Sequence, residues 1–110
     1  MSDRSPDPTW DTWQQAQLFF DAGQPTEAAR LLDDVLAADP RSSAALELHA
    51  RALYASAQLG RAEAALRALL ERHPDDGWAH LALARTLERQ GRAAEAASCR
   101  RLAGALGRTD

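Results

Sequence analysis

The apolar residues of the chain fall in short stripes at helical spacing, and glycine or proline separates one stripe from the next. Asp7-Pro8 supplies a cap and a first-turn proline for an opening helix that runs to about Ala22. Gly23 ends it, and Pro25 suits the start of a second helix, whose stripe is Leu31, Leu32, Val35 and Leu36. Asp39-Pro40 stops that helix, because the residue before a proline is pushed out of the α region. Ser42 is an N-cap for a third, with Leu46, Ala50, Leu53 and Ala57 on one face. Gly60 breaks it and a fourth follows, carrying Ala62, Leu66, Leu69 and Leu70 and ending before Pro74. Asp75 or Asp76 caps a fifth, with Ala79, Leu83, Ala84 and Leu87 inward, and Gly91 ends it. A sixth runs from about Ala93 to Leu106. Six helices joined by short loops form antiparallel pairs.

The punctuation is periodic. Pro40 and Pro74 stand 34 residues apart, and Gly23 and Gly91 stand 68 apart, twice that period. After each of these glycines the chain reaches Glu27-Ala28-Ala29 and Glu95-Ala96-Ala97 at the same offset. A third copy, Gly60-Arg-Ala-Glu63-Ala64-Ala65, is one residue shorter. Gly60 also comes three residues late, so the third helix is expected one turn longer and the fourth one turn shorter.

A 34-residue period built from helix pairs resembles the tetratricopeptide repeat family, over residues 9–106. With repeats of about 9–42, 43–76 and 77–106, the family's small residue at position 8 is Ala16, Ala50 and Ala84, and its large apolar residue at position 11 is Phe19, Leu53 and Leu87. Position 20 is Ala28, Ala62 and Ala96, and the usual tryptophan at position 4 is replaced by Thr12, Leu46 and His80. The resemblance implies an all-α fold, a right-handed α-solenoid of three antiparallel helix pairs, with residues 1–8 a short disordered segment and 107–110 a tail. Small residues at positions 8 and 20 let paired helices approach, and the uncovered face of each pair is closed by its neighbour.

The resemblance also implies a concave groove lined by the first helix of each pair. Its groove positions hold Trp10, Trp13, Gln17, Phe20 and Asp21 in the first repeat, and Ala44, Glu47, Arg51, Tyr54 and Ala55 in the second. The third supplies Trp78, Leu81, Arg85, Glu88 and Arg89. Five of the chain's six aromatic residues fall on this surface, the exception being Phe19. Aromatic and Arg side chains are those that most often anchor an interface. Trp10 and Trp13 would either contact a ligand or close the open N-terminal end. Arg51 and Arg85, one repeat apart, would either hold a carboxylate or carbonyl row, or pair with Glu47 and Glu88 beside them. The clamp by which some family members hold an acidic chaperone tail is not matched: its positions carry Trp13, Gln17, Leu48, Trp78 and Ala82.

Composition narrows the function classes. The chain has 110 residues, enough for one domain with a core. Ala (25) and Leu (16) dominate, there is no Ile and one Val, which favours helix over sheet. All 13 cations are Arg, and the net charge is −3, which speaks against nucleic acid or an anionic membrane as partner. No apolar run is long enough to span a membrane, and the polar N-terminus is no secretory signal, so a cytoplasmic setting is expected, and the high Ala and Arg content with no Lys, Ile or Asn suggests a GC-rich bacterial genome. One Cys and three His are too few for a Cys/His zinc site, and Cys99 and His80 lie on different helices with no third partner. His49 and His80 fall at core or inter-helix positions, Asp33-Asp34 reads as a solvated helix face, and no phosphate loop is present. No catalytic residue, metal or cofactor is therefore assigned. Arg100 stands where Leu66 and Leu32 stand one and two repeats earlier, a polar ending for the stack, with apolar Leu102, Ala103 and Leu106 close by. The expectation is a non-enzymatic adaptor or scaffold binding a peptide segment or helix of another protein, through Trp10, Trp13, Gln17, Phe20, Glu47, Arg51, Tyr54, Trp78, Leu81, Arg85 and Arg89. The alternative is an assembly subunit that forms a homodimer through the solenoid ends.

Overall fold

The computed structural model describes residues 8–108. They form six helices: α1 Pro8–Asp21, α2 Pro25–Ala38, α3 Ser43–Ala55, α4 Leu59–Arg72, α5 Gly77–Arg89 and α6 Ala93–Ala105. Pro8 opens α1, the first-turn proline the sequence supplies, and the expected cap Asp7 and the rest of the N-terminal segment before Pro8 lie outside the described residues. Ser42 and Asp76 do act as N-caps, each accepting a backbone N–H from the third residue on, at 3.2 Å from Ala45 and 3.0 Å from Ala79.

The third and fourth helices correct the reading of Gly60. α3 has 13 residues, the same as α5, and α4 has 14, the same as α2. Gly60 breaks nothing and lies in the first turn of α4. The turn is made by Ala57, which takes φ 57°, at the repeat position where Gly23 and Gly91 take φ 78° and 77°. All three turns carry the same pair of hydrogen bonds. Gly23, Ala57 and Gly91 donate to the carbonyls of Phe20, Tyr54 and Glu88, and the next residues, Gln24, Gln58 and Arg92, donate to Phe19, Leu53 and Leu87. The 34-residue register is thus unbroken, and an alanine sits in a left-handed conformation to keep it.

The pairs α1–α2, α3–α4 and α5–α6 pack internally, and α2 on α3 and α4 on α5 join them into a stack. The periodic small residues sit at the contacts: Ala16, Ala50 and Ala84, and Ala28 and Ala62, have no exposed surface. Leu32, Leu53, Leu66, Leu69 and Leu87 fill the space between helices. α1 also touches α3, so the first helices of successive pairs converge on one side, the inner side of the curve. Arg100 remains at the surface and hydrogen bonds Glu88 through two nitrogens, at 2.6 and 2.8 Å.

Candidate functional site

On the inner side, α3 and α5 bring Arg51, Tyr54 and Trp78 together. Arg51 and Tyr54 lie one helical turn apart on α3, and Trp78 stands at the start of α5, displayed by the Asp76 cap. The Arg51 guanidinium carbon lies 4.0 Å from the Trp78 ring centroid. Tyr54 meets the same ring edge-on, with centroids 5.9 Å apart and planes at 84°. Arg51 Nε also donates to Glu47 Oε2 at 3.1 Å. A stacked guanidinium contributes roughly 0.5–1 kcal/mol at such a site and holds its aromatic partner in one orientation. All three side chains are half-buried, packed on one side and open on the other.

The other expected groove residues are distributed around this cluster. Trp13 and Phe20 are half-buried and rest on the core, while Gln17, Glu47 and Arg89 are exposed. Trp10 is 56% exposed and lines with Trp13 an open cavity of about 270 Å³, whose far wall is Val35, Asp39, Ser42 and Ala44. Leu81 is not on the open surface: it is 3% exposed, and the turn after α6 closes on its face of α5, where a Cβ at Gly77, one turn earlier, would meet Leu106 and Arg108. Arg85 is half-buried and Arg89 exposed, one turn apart on α5. Glu88 is held by Arg100, whose hydrogen bond keeps the carboxyl below the ordinary carboxylate range, against a smaller upward push from burial. Arg85 adds a weaker attraction to Glu88.

The groove is therefore electrically graded. Where the first helices begin, Glu47, Asp75 and Asp76 surround an open hollow with His73, whose Nε2 lies 3.0 Å from Ser43 Oγ. Toward the other end of α5 stand Arg85 and Arg89. Between them lies the Arg51–Trp78–Tyr54 cluster. Such a strip can grip an apolar side chain and orient a charged segment.

Catalytic chemistry has little material here. His80 Nε2 lies 2.8 Å from the Pro74 carbonyl and His49 Nε2 lies 2.8 Å from Asp33 Oδ1. Burial pushes the Cys99 thiol up, away from the reactive thiolate. Among the described residues no cluster of His, Cys, Asp or Glu is arranged to hold a metal, and no helix is long and apolar enough to cross a membrane.

Two polar joints were not foreseen. Asp33, read as part of a solvated face, receives both His49 and Arg61, the latter at 2.7 and 2.9 Å. Arg92 bridges Glu63 of the second repeat, at 2.7 Å, and Glu95 of its own, at 2.8 and 2.9 Å, while Arg67 also holds Glu63, at 3.0 Å. The partners that link different helix pairs or cross a junction are 16 to 29 apart in the sequence, beyond the reach of any local pattern.

A stack of helix pairs in strict 34-residue register, with small residues at every crossing and an open inner surface, defines a helical-repeat interaction scaffold. The tetratricopeptide repeat family matches over residues 19–76 and 55–99, and the chain belongs to that family. Among solved structures, a point mutant of MamA superposes with a TM-score of 0.85 at 23% identity, over 94% of this chain and 76% of that one. That likeness is one of fold. No curated protein matches the chain. Members of this family are in general protein–protein interaction modules and in general non-catalytic.

Proposed function

We propose that the inner groove binds a peptide segment or short helix of another protein, and that the chain acts as a non-enzymatic adaptor. The observation that carries this reading is the Arg51–Trp78–Tyr54 cluster, assembled from two repeats and half-open to solvent. Its parts are of the kind that dominate interfaces, and they are already oriented. A ligand side chain entering beside Trp78 would lose water without making the protein rearrange. Trp13 and Phe20 extend the apolar strip toward the first repeat, and Arg85 and Arg89 would meet carboxylates or carbonyl groups at the other end.

The test is a selection from a random peptide display library on the immobilised chain. Enriched peptides should share an apolar or aromatic anchor. Their affinity should fall about tenfold or more for Trp78→Ala, and less for Trp10→Ala. A Trp13→Ala, Arg51→Ala, Trp78→Ala variant, shown to be folded by circular dichroism, should bind none of them. Peptides that bind this variant and the wild type equally would refute the groove as the binding surface.

A further inference from the structure

We propose that a second copy of this chain docks on the outer side of the last junction, in the groove between α4 and α6, with two-fold symmetry. The groove has a volume of about 580 Å³, and its wall includes Ala68, Leu70, Leu83, Cys99 and Leu102. Leu102 is 51% exposed. Arg67 and Glu71 line the same groove.

The repeat provides an internal control. At the first junction, two of the positions 34 residues earlier are polar where these are apolar. Ala68 corresponds to Asp34 and Leu83 to His49, while the exposed Leu102 stands where the smaller Ala68 stands one repeat earlier, and Leu70 and Cys99 correspond to the apolar Leu36 and Ala65. There Asp33 is bonded by both His49 and Arg61 across the junction. The fold therefore does not require an apolar outer groove. The last junction has one, together with a large aliphatic side chain standing open at its edge. An open apolar hollow beside an exposed leucine is a surface that a partner would cover.

The groove's charges point to the partner. Arg67 and Glu71 are one turn apart on α4, and both are exposed. Arg67 holds Glu63 through Nε and approaches Glu95 at 3.8 Å, keeping 48% of its side chain in solvent. Glu71 has no ion pair among the described residues. When two α4 helices meet antiparallel about a two-fold axis, each Arg67, already held by Glu63 through Nε, turns its half-exposed guanidinium to the Glu71 of the other copy, which gains the ion pair it lacks. The same operation carries each Leu102 toward the other copy's groove. A patch that is complementary to itself in both shape and charge is what a two-fold interface requires.

Sedimentation equilibrium of the full chain, from about 10 µM to about 1 mM, should show the mass rising from the monomer's 11.9 kDa toward twice that value. Leu102→Asp, folded by circular dichroism, should raise the dimer dissociation constant about a hundredfold, since two leucines leave the interface. Arg67→Glu and Glu71→Arg should each weaken self-association through like charges across the axis. Mixing these two variants should restore a dimer that contains one of each, because every facing pair is then of opposite sign. Trp78→Ala, which disables the inner groove, should leave the dimer unchanged, so this proposal and the peptide-binding one fail separately. A wild type that stays monomeric to about 1 mM would overturn the proposal. So would a dimer indifferent to Leu102→Asp, which would place the contact at the solenoid ends, or charge variants that do not pair on mixing.

Discussion

Ala57 can be made a quantitative test of the register. It is held at φ 57° in a turn whose two hydrogen bonds match those at Gly23 and Gly91. A left-handed conformation costs an L-residue roughly 1–2 kcal/mol. Glycine avoids that cost but brings a more flexible unfolded chain, worth roughly 0.5–1 kcal/mol in the other direction. The difference predicts that Ala57→Gly stabilises by about 0.5–1 kcal/mol, or about 2–4 °C in Tm for a domain of this size. Gly60 is the complement: it lies inside α4, and a Cβ there would meet nothing within 4 Å. Gly60→Ala should add roughly 0.5–1 kcal/mol from helix propensity. Moving the glycine three places, with both changes together, should therefore gain about 1–2 kcal/mol. Gly91→Ala is the control. Its Cβ would also meet nothing within 4 Å, so only backbone strain acts, and about 1 kcal/mol should be lost. Urea titrations followed by circular dichroism would measure all four. If Ala57→Gly destabilised the chain as Gly91→Ala does, the three turns would not be equivalent and the strict register would be wrong.

Two further predictions concern the core and the second joint. Leu66 has no exposed surface and lies between helix pairs, so Leu66→Ala should cost about 2–5 kcal/mol, whereas the half-buried Leu70 should cost clearly less; equal losses in urea unfolding would argue against the core placement. Burial pushes the Glu63 carboxyl up, but the hydrogen bonds from Arg92 and Arg67 outweigh it and hold it below its ordinary value. A carboxyl lowered on folding contributes stability above its unfolded pKa, about 4.3, and loses it as the pH falls through the folded value. Stability should therefore decline below about pH 4.3, and Arg92→Gln should flatten that decline; an unchanged pH profile in Arg92→Gln would show that the joint does not hold the two repeats together.

The sequence made the helices and their period legible because both rest on residues whose physical role is local. Proline and small residues act within a turn or at a single crossing, and Ala16, Ala50 and Ala84 mark crossings that no larger residue would fit. It misled at Gly60, where glycine was read as a helix breaker. The period was the stronger constraint: Ala62 must occupy the same crossing as Ala28, and a strained Ala57 costs less than losing that contact. It misled again at Leu81, because a position copied from one repeat to another ignores what packs against it. Both α3 and α5 have a helix on each side, yet Glu47 is exposed and Leu81 is not: at α5 the turn after α6 also closes on that face, where a Cβ at Gly77 would meet Leu106 and Arg108. The aromatic surface was foreseen as a set of positions. The contact of Arg51 with Trp78 was not, because it depends on the distance between repeats, which no single repeat encodes.

The two junctions show why one period can carry two different surfaces. Stacking demands only that crossing positions stay small and that the space between helices be filled. Outside those positions each junction is free to differ, and here they diverge. The first is polar on its outer side through Asp33, His49 and Arg61. The second places its ionic joint at Glu63, Arg67, Arg92 and Glu95, and the groove beside it is apolar. The same joint ties α6 to α4 at one end while Leu102 projects at the other. Inner and outer faces at the last junction thus have separate chemistries, the inner carried by α3 and α5 and the outer mainly by α4 and α6, with Leu83 of α5 at its floor. A substitution on one face leaves the other intact, which allows peptide capture and self-association to be measured on the same molecule without confusing their effects.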